Sequence, residues 1–169
     1  AAEMDPLLRA QGLTQGTAGE RLAVLGKRPD LLFANTDVGR AELLAYLNQV
    51  VAKIRPLMPK AFGKLVRGNL NIKRVPPAIQ DGAPNGYAGP GSIDGKIPGT
   101  YYINLRDTGI WPRYSLPPLT FHDGTPGHVW QGEYTFDLPL IRTLLSFNAY
   151  SEGWGLYAEQ IADEVGFYA

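Results

Sequence analysis

The chain has only two histidines, His122 and His128, six residues apart in the run Phe121-His122-Asp123-Gly124-Thr125-Pro126-Gly127-His128. Glu152 follows twenty-four residues after His128. Two imidazoles and a carboxylate are the donor set of a catalytic zinc site whose fourth position is left to water. Zinc lowers the pKa of such a water to about 7, which makes hydroxide available near neutral pH. A carboxylate beside the first histidine suits the acceptor of the water's proton and its later donor to the leaving group. Asp123 holds that place. Taken alone, the same residues also read as polar histidines in a loop and a carboxylate favoured by a helix start.

The spacing sets a structural condition. Histidines four residues apart share one face of a regular helix, as in H-E-x-x-H. Six residues rotate by about 600°, so the two side chains would diverge by roughly 120°. Convergence therefore requires a break between them. Pro126-Gly127 supplies one, because proline removes a backbone donor and glycine admits unusual dihedrals.

Helical sequence flanks this segment. Thr17-Ala18-Gly19-Glu20 fits a capping box opening a short helix that Gly26 closes. A longer helix is expected from Thr36 or Asp37, with Leu43, Leu44, Leu47, Val50, Val51 and Ile54 as its apolar stripe and Pro56 as its stop. Asn69–Val75 begins with period-two alternation and reads as a strand, and Tyr101–Leu105 reads as a second. Asp81–Gly99 between them is a turn-rich loop, long enough to suggest a lining role. Leu138–Leu145 and Asn148–Phe167 are candidate helices, the latter with Tyr150, Trp154, Tyr157, Ile161 and Val165 near helical spacing. The chain thus divides into helical residues 1–60, a strand and Gly/Pro-rich segment 61–118, and motif-bearing helices 119–169.

Composition narrows the function classes. With 16 Lys+Arg against 16 Asp+Glu the net charge is zero, which lacks the electrostatic footprint of a nucleic-acid binder. No apolar run reaches the roughly 18 residues of a transmembrane helix. Cysteine is absent, which excludes disulfides and thiolate chemistry and suits cytoplasm and periplasm alike; the reading leans to a periplasmic or secreted site. Gly 20 and Pro 14 make up a fifth of the 169 residues, and eighteen of them fall between Pro76 and Gly127.

The segment Leu119–His128 followed by Gln131 resembles the histidine motif of the bacterial domain-of-unknown-function family 885, usually H-E-x-x-P-G-H. Phe147–Glu159 is similar to that family's second signature, roughly A-Y-x-E-G-W-A-L-Y-x-E. Val75-Pro76 and Pro98–Leu105 also match its style. The resemblance implies a mainly α protein with a small β element, the incomplete metallopeptidase region of a gluzincin-like zinc hydrolase. It implies His122, His128 and Glu152 as ligands of one zinc ion and Asp123 as the catalytic carboxylate. Glu159, two turns after Glu152, would orient a ligand. Tyr150, or else Tyr102, is the candidate oxyanion donor.

Two departures bear on activity. Asp123 stands where the motif has glutamate, a carboxylate shorter by about 1.5 Å. Family members run to several hundred residues, so this chain reads as a truncated segment or one cleaved piece of a larger helical domain. Its expected partners are a peptide-like substrate and the remainder of its own polypeptide or a complementary chain. The alternative is a catalytically weak or inactive relative that binds peptide or a partner chain.

Overall fold

The structure, a computed structural model, describes residues 2–145 and 147–169. It is mainly helical with one small sheet. Helices α1 (Met4–Ala10) and α2 (Ala18–Leu25) come first, and Thr17 forms the capping box with Glu20. The long helix α3 (Asp37–Ile54) starts at Thr36, whose hydroxyl accepts from the Gly39 amide. It gives way at Arg55 to a 3-10 turn, Arg55–Lys60, that carries Pro56 and Pro59.

Strands β1 (Leu70–Arg74), β2 (Gly86–Gly89) and β3 (Gly99–Ile103) follow. β3 is central, parallel to β1 and antiparallel to β2. The second expected strand therefore lies two residues earlier than Tyr101–Leu105. Pairing starts at Gly99, and Asn104 leaves the ladder: its side-chain amide donates to the Gln80 carbonyl. Arg40 then takes the Leu105 carbonyl at 2.7 Å. β2 corrects the reading of Asp81–Gly99 as loop alone. Gly-Tyr-Ala-Gly has little strand propensity of its own, but it covers the open edge of β3, and Tyr87 stacks on Tyr102 at 4.9 Å.

Helices α4 (Leu116–Asp123), α5 (His128–Thr135), α6 (Ile141–Leu144) and α7 (Asn148–Glu164) complete the fold. Leu138–Leu145 forms only the single turn α6, preceded by Pro139, with its large side chains exposed. The α7 helix ends three residues before Phe167 in a Schellman motif, with Gly166 at φ +87° and the Phe167 amide donating to the Ala162 carbonyl. Its buried face is Gly155, Ala158, Ile161 and Ala162, whereas Tyr150 and Tyr157 point to solvent.

Two apolar cores are joined by α3. Leu43 and Leu47 pack with Phe33, Tyr101, Ile103, Leu105, Trp111 and Leu116. One to three turns on, Val50 and Ile54 pack with Met58, Phe121, Trp130, Ile161 and Phe167. The second core presses α4 against α7, with Phe121 meeting Phe167 edge-on at 4.7 Å.

Candidate metal centre

His122 and Asp123 are the last two residues of α4, and His128 is the first of α5. The chain between them breaks at Gly124 and turns through a cis Thr125–Pro126 bond and Gly127. A Cβ on Gly127 would overlap the carbonyl oxygens of His122 and Phe121, so only glycine lets the chain fold back so closely. The Trp154 indole of α7 donates to the Pro126 carbonyl at 2.9 Å and ties the turn in place. The two rings meet perpendicular, 4.9 Å apart. The break required by the spacing is present.

Glu152, in the first turn of α7, reaches both rings. Its Oε2 lies 3.2 Å from His122 Nε2 and 3.6 Å from His128 Nε2. One donor atom from each of the three residues falls within 4.8 Å of the others. Such neutral-nitrogen and carboxylate donors fit a zinc ion. Glu159, seven residues further along α7, accepts from His122 Nδ1 at 2.8 Å. Gly155 lies between the two glutamates, and there a Cβ would sit 2.5 Å from His122 Nε2. The imidazole can lie against α7 only because that side chain is missing.

The site is electrostatically uneven. Burial pulls the His122 pKa down, but the hydrogen-bonded carboxylates of Glu159 and Glu152 outweigh it and hold the ring above its ordinary value. Burial lowers the pKa of His128, with Glu152 opposing and His122 reinforcing the shift. Its Nδ1 is buried without a hydrogen-bond partner among the described residues. Asp123 is 6% exposed. Burial, with the Glu152 charge adding and His122 opposing, pushes its pKa up to about 6.

A hollow of about 500 Å³ opens in front of these groups, lined by His122, Asp123, His128 and Glu152 on the helices and by Gly86, Tyr87 and Ala88 of the edge strand β2. The Asp81–Gly99 segment thus lines the site through its strand. Tyr102 is not among the lining residues; it stacks on Tyr87, which is, while Tyr101 on the opposite face of β3 is buried. The Tyr101 hydroxyl is buried and unpartnered among the described residues, and the nearby Asp123 charge adds to the burial that holds its pKa far up. Tyr150 is exposed and lines an adjoining hollow rather than the histidine cluster. Sequence reasoning missed Tyr101, Gly155 and β2. Nothing local to the sequence separates Tyr101 from Tyr102; pairing in the sheet buries the former.

A broken helix pair whose histidines are closed by a carboxylate from a third helix, beside a three-stranded sheet, defines a helical protein built around a His–His–Glu cluster. The chain belongs to the family described as bacterial protein of unknown function (DUF885), whose profile matches residues 1–169. The crystal structure of a candidate lipoprotein from Colwellia psychrerythraea superposes on it with a TM-score of 0.92 at 39% identity. That match covers 99% of this chain and 29% of the other, so this chain spans less than a third of its solved relative. No curated protein matches the chain significantly. No described helix is long and apolar enough to cross a membrane.

Proposed function

We propose that this chain carries the metal-and-water half of a zinc-dependent hydrolase acting on peptide or other amide bonds, with gluzincin-like chemistry. The observation that carries this reading is the convergence of His122, His128 and Glu152 donor atoms within 4.8 Å. Those three residues would hold one zinc ion. Bound there, zinc would acidify a water and polarise a carbonyl as a Lewis acid.

The protein's own groups do the rest. Asp123 is buried on the same hollow, and a carboxyl with a pKa of about 6 can accept and return a proton near neutrality. Glu159 fixes the His122 ring through Nδ1, which turns Nε2 toward Glu152. The edge strand β2 borders the hollow, and an extended peptide can pair along such an edge. That supports a peptide-like substrate. Neither Tyr102 nor Tyr150 lines the hollow, so we assign oxyanion stabilisation to a remainder of its own polypeptide or a complementary chain. The description of the solved relative as a candidate lipoprotein supports a site outside the cytoplasm.

A weak or inactive peptide binder is the second reading. It is favoured by Asp123 in place of glutamate, since about 1 Å of misplacement can cost on the order of a hundredfold in rate. Metal analysis tests the first point: one zinc per chain is expected, lost in H122A and E152Q. Peptide hydrolysis by the chain together with the remainder of its polypeptide tests the second. Asp123→Asn should abolish turnover while zinc stays bound. Zinc binding with no turnover even after Asp123→Glu would leave only the binding reading.

A further inference from the structure

A second hollow of about 170 Å³ adjoins the first and shares with it a wall of Pro90, Gln131, Gly132, Thr135 and Ser151. The two are chemically opposite. The first carries the carboxylates Asp123 and Glu152 beside the histidines. The second carries no acidic residue; its one cation is Arg142, set among Phe136, Leu145, Phe147 and Tyr150. The Arg142 side chain makes no ion pair or hydrogen bond among the described residues. Phe147 and Tyr150 are each 70% exposed, an unusual investment of aromatic surface. Thr135, Arg142, Leu145, Phe147 and Tyr150 also border a neighbouring apolar hollow of about 450 Å³, so a large side chain has room on this side of the shared wall.

We propose that this second hollow receives the C-terminal residue of a short peptide whose preceding amide lies over the His–His–Glu cluster. The free carboxylate pairs with Arg142, whose planar guanidinium suits two-oxygen recognition. The C-terminal side chain is apolar or aromatic and packs on Phe147 and Tyr150. Charge complementarity fixes the direction of the peptide: carboxylate toward Arg142, uncharged amide toward the cluster. Which bond is cut rests on the hydrolase reading; the binding does not.

The test is calorimetric titration of N-acetyl-Ala-Phe, as free acid and as C-terminal amide, into the protein with zinc and with a chelator. The acid is expected to bind at least about tenfold more tightly. Arg142→Gln should erase that difference and Arg142→Lys retain part of it. Arg142 is exposed, so both variants should keep the parent melting temperature. Equal affinity for acid and amide, a preference that survives Arg142→Gln, or no binding of either peptide overturns the proposal. Self-association that buries Phe147 and excludes the peptide overturns it in favour of a second copy. An Arg142-dependent preference in a chain that binds no zinc would sink the zinc-hydrolase reading alone. Hydrolysis of acid and amide alike, indifferent to Arg142→Gln, would sink this inference alone.

Discussion

Gly155 and Asp123 both border His122. Glycine at 155 lets the imidazole settle against α7, while aspartate at 123 gives a carboxylate about 1.5 Å shorter than glutamate would. The two positions are expected to be coupled. Gly155→Ala alone should push the ring outward and weaken zinc binding on the order of tenfold. Adding Asp123→Glu should recover part of the lost hydrolysis, which a double-mutant cycle reads as a coupling energy. Strict additivity would mean that the two positions act separately. At this scale the sequence was informative about types and poor about contacts. The histidines, Asp123, Glu152 and Glu159 declare themselves by chemistry and spacing. The need for glycine at 155 comes from an imidazole on another helix, and no local pattern records it. Tyr101 and Tyr102 are equivalent in sequence until the sheet decides which one faces inward.

The helix starts were legible because capping is local: Thr17 and Thr36 each satisfy an amide three residues on. The break between the histidines was legible because helical rotation forbids their convergence. β2 was not legible, since its pairing is provided by β3 rather than by its own residues. The α1–α2 pair holds a pH-dependent contact. Arg9 and then Arg21, through hydrogen bonds, keep the Asp5 carboxyl below its ordinary value of 3.8, and the Thr17 amide and hydroxyl do the same for Glu20 below 4.5. Both depressed groups contribute stability above those ordinary values and lose it as pH falls through the lowered ones. Between pH 6 and 3, D5N/E20Q should lose less melting temperature than the parent chain. Glu133 on α5 is a different case, buried and accepting from the Gly68 amide at 2.9 Å. Glu133→Ala would strand that buried amide at a cost of about 1–3 kcal/mol. Thermal melting should fall by roughly 2–12 °C, and Glu133→Gln, which keeps an acceptor, should recover part of it.

Across the whole molecule, the proposed ligands come from α4, α5 and α7, so metal binding and folding are linked. Zinc at a hundred times its dissociation constant should stabilise the chain by about 2.7 kcal/mol. The accompanying rise in melting temperature should vanish in His128→Ala. The single helix α3 carries a separate consequence. Its first turns belong to the core around Trp111 and its last turns to the core around Trp130, with Trp154 packed beside it. Neither core can dissolve while α3 stays straight and the other core stays dry. Cooperativity is thus vested in one element. Single-tryptophan variants reporting from Trp111 or from Trp130 should trace the same denaturation midpoint, and two midpoints would show that α3 comes apart in halves. By the same reasoning, a cavity cut at Leu43, far along α3 from the histidines, should be felt at the metal centre as a change in how often the whole molecule opens.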